Sequence, residues 1–347
     1  MGKVKVIQAG MLSTIQDLGR LSFQRYGVSV SGVMDDFSAR MANLLVQNSP
    51  NEAVIETTFS GIELEFLSNT FIAITGAQNE YWLNDHPIPL WTTIKIKKGD
   101  LLRSGYCSSG VRNYLAFAGG VQVPLIMGSY STNLKGKFGG FEGRKLQAND
   151  QLELLDQIDC SLISLPTSHI PQFPSEIELR VILGPQDDYF DDQGIQLLFT
   201  NVYEVTAESD RMGIRLSGEK IPHKDSADII SDGINLGAIQ IPGEGQPIIM
   251  MADRQSTGGY AKIGYVITSD IPKLAQAVPG TKVRFKQISL VKGLEEHKIY
   301  MEKFEKDFVD SLQQNKIPPT IKSISTKGSI RTYEMTINGT PYKVQVE

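Results

Sequence analysis

The chain reads as a mostly β protein of two strand-rich lobes, each a barrel or sandwich rather than a doubly wound sheet. Three observations predict this. Short runs rich in β-branched and aromatic residues recur along most of the 347 residues. Thirty-two glycines punctuate them, as in a chain that turns often. Regular helical spacing is confined to a few stretches, too few to cover both faces of a parallel sheet.

In the first lobe, residues 1–165, the strand runs are "VKVIQAG", "IELEFLS", "FIAITGA", "WTTIKIKKGDLL" (91–102) and "VRNYLAFAGG". The stretch "MDDFSARMANLLVQN" is a helix by spacing. Phe37, Met41, Leu44 and Leu45 form its apolar stripe, and Asp35 or Asp36 is placed to cap it. Then "SLPTSHIPQFPSE" sets three prolines in thirteen residues, so 166–175 reads as a linker. The second lobe, 176–290, repeats the β pattern in "EIELRVILGP", "VYEVTAES", "GAIQIPG", "PIIMMAD", "KIGYVITSD" and "TKVRFKQIS". A short helix in "SDIPKLAQAVPG" has a cap at Ser269 or Asp270 and a Pro-Gly stop. Residues 291–316 carry Leu294, Tyr300, Phe304, Phe308 and Leu312 at helical spacing, predicting a long helix. The stretch "KIPPTIKSISTKGS" reads as a flexible spacer within the tail, 317–347.

Composition excludes several classes. A net charge of -5 argues against nucleic-acid binding, which needs a basic face. No run nears membrane-span length, and the N-terminus lacks an apolar leader core, so no membrane association is expected. Two cysteines without metal-ligand spacing, and four scattered histidines, predict a reduced, cytoplasmic protein with no metal. No phosphate-binding loop of the G-x-x-x-x-G-K-[ST] type, no G-x-G-x-x-G after a strand and no G-x-S-x-G elbow occurs.

Four polar clusters remain as candidate sites. The first spans 13–40, with Asp17 and Arg20 around a glycine, then Ser31 and Asp35 at a helix start, where backbone N–H groups attract anions. The plainer alternative is that Asp35 caps the helix and Asp17 pairs with Arg20. The second is Glu56, a carboxylate in an apolar run that needs a partner if buried. The third is "ESDRMGIRLSG", with Asp210 and Arg211. The fourth is "ADRQSTGGY", with Asp253, Arg254, Gln255, Thr257, Gly258, Gly259 and Tyr260. Both of these place Asp-Arg at a strand end before a glycine turn. Arginine is suited to two-point grip of a carboxylate or phosphate, and a neighbouring Asp can orient it or act as base.

These clusters lie inside a longer pattern. "TIQDLGR", "GVSVSGVMD", "ITGA", "GVRNYLAFAGG", "GSYSTN", "ESDRMGIRLSG", "GAIQIPGEGQPIIMMADRQSTGGY" and "AQAVPGTKVRF" run in order over residues 3–290. The chain thereby resembles the family of 5-oxoprolinase C subunits, also described as the Kip antagonist or biotin-dependent carboxyltransferase-like, urea amidolyase-related family. The resemblance implies two cyclophilin-like β-barrel lobes. It also implies two partners, a Kip-inhibitor-like B subunit together with an A subunit. The implied reaction cleaves the small-molecule substrate 5-oxoproline to L-glutamate, with ATP bound somewhere in the complex. Two alternatives come with it: a carboxyltransferase subunit of a biotin-dependent urea or amide carboxylase, or a non-catalytic antagonist of a Kip-type histidine-kinase inhibitor. On this reading Asp210, Arg211, Asp253 and Arg254 are catalytic. Arg211 and Arg254 bind substrate or phosphate charge, while Asp210 and Asp253 orient them or act as base. Gln240, Gln255, Thr257, Gly258, Gly259, Tyr260, Asp17, Arg20, Ser31, Asp35 and Glu56 bind substrate. The biotin-attachment motif is absent, so no covalent biotin is expected here. The segment "RTYEMTINGTPYKVQVE" resembles the opening strand pair of a biotin-carrier domain, or forms a hairpin turning at "NGT".

Overall fold

The structure is a computed structural model. It describes residues 2–59, 61–155 and 160–305, together with the backbone of three strands between 320 and 346. The mostly β architecture expected from the sequence is what it shows. No described helix is long and apolar enough to cross a membrane.

The first lobe consists of a seven-stranded and a five-stranded sheet. Val4, Val6, Leu64 and Phe66 of the larger sheet pack with Ile15, Ile55, Ile72, Ile74, Leu115 and Phe117 of the smaller one. The smaller sheet is buried on its other face too. There Val54, Ala73, Tyr114 and Ala116 meet the helix Asp36–Leu45. This double burial explains why strands Val54–Thr58 and Ser109–Phe117 lack a clean polar alternation. Met41 and Leu45 of the helix are fully buried, each stabilising by about 1.5–3 kcal/mol. Asp35 is the cap: its Oδ1 accepts from the Ser38 amide at 2.9 Å.

The second lobe closes as a seven-stranded barrel. Its first and last strands, Glu176–Leu183 and Lys282–Gln287, pair in parallel. Leu179, Val181, Ile214, Ile239, Ile249, Ile263 and Val283 fill the interior. Outside the barrel, Asp228–Gly233 and Thr257–Tyr260 pair as a separate two-stranded ribbon.

The lobes are clamped by side chains that substitute for strand pairing. Gln276 follows the helix Ile271–Ala275. Its Oε1 accepts from the amides of Val111 and Arg112 at 3.0 and 2.9 Å, and its Nε2 donates to Asp35 Oδ2 and Arg112 O at 2.8 and 3.0 Å. Arg112 donates back to Ala275 O. The ladder opposite Arg112 shifts register between Ser109 and Asn113. Gly76 allows this: it sits at φ +99°, and a Cβ there would lie 2.2 Å from Arg112 O.

Several sequence expectations are corrected. "WTTIKIKKGDLL" is two strands in different sheets, Thr93–Ile96 and Leu101–Ser104, because Lys97–Asp100 form a turn in which Lys97 N donates to Asp100 Oδ2. Neither Ser269 nor Asp270 caps the short helix by its side chain. Asp270 is drawn instead to Arg180 and Lys273, whose charges hold its carboxyl below the usual range against the cost of burial. The long helix is described over Leu290–Glu302, capped by Ser289. Tyr300 and Phe304 pack on Phe37, whereas Leu294 is 61% exposed and leaves the stripe. Phe308 and Leu312 lie outside the described residues. The expected spacer contains the strand Thr320–Lys327, which pairs with Ile330–Ile337, and that strand pairs in turn with Thr340–Val346. Four β-branched residues, Thr320, Ile321, Ile324 and Thr326, favour an extended backbone there despite the lysines.

Replacing Gln276 with alanine removes four hydrogen bonds and strands two buried amides. A loss of about 2–4 kcal/mol in unfolding free energy is expected, measured by urea denaturation.

Candidate functional site

Barrel topology brings the two Asp-Arg motifs together. Strand Gly213–Ser217 runs antiparallel to Ile248–Met250, with Gly213 opposite Met250. The segment entering the first strand and the segment leaving the second therefore lie side by side. Asp253 N donates to Arg211 O at 2.8 Å and Met251 N to Met212 O at 2.9 Å.

Arg211 then reaches across to the first lobe. Its Nε and Nη2 bind Asp253 Oδ2 and Oδ1 at 2.8 and 3.2 Å. Its Nη1 pairs with Glu56 Oε1, and Nη2 also donates to Gly32 O. The other Glu56 oxygen accepts from Met34 N at 2.8 Å. Burial opposes the Arg211 charge, but Asp253 and Glu56 more than offset it and hold it above the usual range. With four of its five N–H donors committed, Arg211 is a positioning residue, not a free cation. One N–H remains for the substrate grip that the sequence leads one to expect of it.

Arg254 is different. It is 6% exposed and donates to Ile234 O and Met251 O at 3.2 and 3.0 Å. Among the described residues no carboxylate lies within ion-pair distance of it. Burial pushes its guanidinium down to about 10, partly offset by the nearby Asp253. Asp253 keeps 16% of its side chain exposed, so one carboxylate is oriented by Arg211 while facing Arg254 electrostatically. Asp210 does not join them. It is exposed, and its Oδ1 accepts from the amides of Met212 and Gly213 at 2.7 and 3.1 Å. An Asx turn holds that carboxylate away from Arg211.

The first-lobe residues divide likewise. Asp17 and Arg20 do not form the anticipated pair. Asp17 accepts from Gly19 N, Ser129 Oγ, Tyr130 N and Ser131 Oγ at 2.5–2.8 Å. Arg20, fully buried, donates to Ile126 O and Ser131 O at 3.0 and 2.8 Å and stacks over Phe138. Its charge is disfavoured by burial and supported by Asp17 and Asp253. Ser31 is buried at φ 57°, beside the Gly32 carbonyl that receives Arg211. Asp35 lies at the lobe clamp, where burial raises its carboxyl to about 6 against the hydrogen bonds from Gln276 and Ser38.

The stretch "STGGY" is not a loop. Thr257–Tyr260 is a strand of the ribbon, with Gly258 opposite Asp232 and Tyr260 opposite Asp228. Thr257 and Tyr260 are exposed, while Gln255, Gly258 and Gly259 are half-buried. Gln240 is buried beneath, with Nε2 donating to Tyr260 O at 3.3 Å. Sequence reading misses Arg112, Gln276 and Lys262, all buried polar residues. A charge within the apolar runs "VRNYLAF" and "AKIGYV" is the available signal for two of them; Gln276 has none. Among the described residues no group of three or more His, Cys, Asp or Glu could hold a metal ion. A cleft of about 380 Å³ lies between the linker and the helix Leu290–Glu302, but none of the candidate residues named from the sequence lines it.

Comparison with known proteins now adds a second line. A family model described as the carboxyltransferase domain, subdomain A and B, matches residues 26–287. The C subunit of the 5-oxoprolinase from Escherichia coli K12 is 35% identical over 302 residues, covering 87% of this chain and 96% of that protein. The urea amidolyase of Saccharomyces cerevisiae is 34% identical over 306 residues, 82% of this chain but 17% of the amidolyase. The crystal structure of the Kluyveromyces lactis urea carboxylase superposes with a TM-score of 0.85 at 28% identity, covering 96% of this chain and 32% of that one.

Two outcomes follow from the geometry. Arg211→Met leaves Glu56 and Asp253 buried without their cation and should cost about 3–5 kcal/mol, read by denaturant unfolding. Asp35 has a folded-state pKa raised to about 6, so its stabilising protonated form is lost as pH rises through that value. Relative to Asp35→Asn, the parent protein should lose up to about 3 kcal/mol between pH 4 and pH 7, measured as the pH dependence of unfolding.

Proposed function

The chain belongs to the carboxyltransferase domain family, and we propose that it is the C subunit of a 5-oxoprolinase, opening the lactam of 5-oxoproline to L-glutamate. Its partners on this reading are an A subunit together with a Kip-inhibitor-like B subunit in the cytoplasm, with ATP driving the reaction. The observation that carries the reading is the near-full-length match to a protein of that name, 35% identical over 96% of its length.

The site offers chemistry suited to the task. Opening a lactam adds water to the amide carbon, builds negative charge on oxygen, breaks the C–N bond and delivers a proton to nitrogen. A cation in a dry, preorganised setting stabilises that oxygen far better than one in water. Arg254 is such a cation, held by two carbonyls. Asp253, locked by Arg211, is the group placed to move a proton or orient the attacking water. ATP would supply activation of the amide, but the glycine-rich loop is not shaped to cradle its phosphates. The glycine-rich loop Gly136–Lys145 packs on its own chain: a Cβ at Gly139 would meet Ser131 O at 2.1 Å, and one at Gly140 would meet Thr132 Oγ1 at 1.9 Å. On this reading ATP is bound by the complex at a site other than that loop.

A second reading is supported by the urea carboxylase superposition over 96% of the chain. In it, the same site transfers a carboxyl group from biotin carried on another protein to urea or a related amide.

Glutamate formation from 5-oxoproline and ATP, assayed after the chain is combined with its A and B subunits, tests the first reading; activity should require all three. Consumption of carboxybiotin with urea instead would favour the second. Partner binding without turnover would leave only an antagonist of a Kip-type inhibitor. Arg254→Ala should lower turnover by about a hundredfold or more, assayed at a temperature where circular dichroism shows the variant folded and with partner binding retained.

A further inference from the structure

Lys262 is fully buried, yet it points away from the barrel core. Its neighbours Ala261 and Ile263 both belong to the interior cluster, so strand alternation sends Lys262 to the outer wall. Gln240 is there for the same reason, between Ile239 and Ile241, and it is the register partner of Lys262 across the two strands. Both are covered because the ribbon lies over them. Gly258 makes the close approach possible: a Cβ at that position would lie 2.4 Å from Ile234 Cδ1 and 2.9 Å from Gln240 Nε2.

An ammonium removed from water needs a strong partner. The partner here is Asp232, whose Oδ2 lies 2.8 Å from Lys262 Nζ. The pair is lopsided, with Lys262 0% exposed and the Asp232 side chain 54% exposed. A buried structural pair hides both members; in this one the cation is fixed to the barrel wall while the carboxylate comes from the solvent side. The strand that carries it, Asp228–Gly233, is exposed along almost its whole length and belongs to a ribbon of only two strands, an element of marginal stability by itself. Gln186 completes the slot. Its Oε1 accepts from Lys262 N at 3.3 Å, which turns its Nε2 toward Asp232 Oδ2 at 3.4 Å. A point charge flanked by an oriented amide donor is a receptor for a carboxylate. The ribbon also links this slot to the candidate site. Its root at Ile234 bonds to Ser256 through Ile234 N, and Ile234 O accepts from Arg254.

We propose that Lys262 and Gln186, walled by Gln240, form a carboxylate-binding slot beneath the ribbon, and that Asp232 occupies it as a built-in stand-in which a ligand's carboxylate displaces. The slot gives the ribbon a function as a movable cover, and it separates substrate classes: 5-oxoproline carries a carboxylate, whereas urea has none. The identity of the ligand as 5-oxoproline rests on the function proposed above; the preference for a carboxylate does not.

Calorimetric titration of the full chain, alone and with its partner subunits, tests this with 5-oxoproline, its uncharged ring analogue 2-pyrrolidinone, and glutamate. Binding should require the carboxylate. Lys262→Gln should weaken it about tenfold or more, the scale of one charge-assisted contact. Asp232→Asn keeps an oxygen acceptor for Lys262 Nζ at some cost in stability, and should tighten binding several-fold because the internal competitor loses its charge. Equal binding of 2-pyrrolidinone, or an Asp232→Asn variant no tighter than the parent, would overturn the slot even if Lys262→Gln failed to fold. Carboxylate-dependent binding that tracks Lys262 alongside a reconstituted complex that forms no glutamate would keep the slot and remove the 5-oxoprolinase reading. Glutamate formation with a KM for 5-oxoproline unmoved in both variants would do the reverse.

Discussion

The guanidinium of Arg211, enclosed between Glu56 of the first lobe and Asp253 of the second, is the interaction on which the arrangement of the site depends. Each member alone would be an expensive buried charge. Together, with Met34 N on the free Glu56 oxygen and Gly32 O on Arg211, nearly every lone pair and donor is satisfied. Such a triad contributes little net stability compared with an apolar replacement of equal shape, but it tolerates almost no change in geometry. It therefore fixes the register of one lobe against the other, and with it the position of Asp253 beside Arg254.

The clamp around Gln276 acts in the same direction by a different means. Its amide satisfies backbone groups exposed where the first-lobe ladder shifts register at Gly76. An interruption of one sheet thus becomes the docking point of the other lobe. The two contacts, one ionic and one neutral, meet at the segment 31–35, whose Gly32 serves the first and Asp35 the second. That segment starts a helix and reads in the sequence as an anion site; in the folded protein its polar groups are largely occupied in holding the lobes together.

Charge is distributed unevenly over the residues that remain. Arg211 and Asp17 are largely committed to partners within the chain, Asp210 is tied to its own turn, and Arg254 and Lys262 are buried cations with fewer contacts. They sit at the two ends of one short stretch, residues 254–262, joined through the ribbon.

Much of this is legible in the sequence, and the limits of legibility have physical causes. Glycine punctuation, β-branched runs and the proline-rich stretch at 164–176 record local backbone preferences, which suffice for a mostly β chain of two lobes and for the Asp35 cap. The Asp-Arg motifs stand out because charged pairs at strand ends are rare in apolar runs. The order of motifs also carries the family. Partner choice is another matter. Proximity along the chain pairs Asp17 with Arg20 and Asp253 with Arg254, whereas the folded protein pairs Asp253 with Arg211 and sends Asp17 to hydroxyls and amides 112–114 residues away. Gln276 carries no mark of its role, since an isolated glutamine reads as surface until another lobe covers it, and Lys262 is marked only by its place in an apolar run. The amino-acid sequence by itself thus determined the elements and the chemical groups available, because those follow from each residue's own backbone and side-chain preferences. Only the tertiary structure decided which charges face one another and which are left to act, because strand pairing and lobe docking set those distances, and electrostatic energy depends on separation and burial rather than on position along the chain.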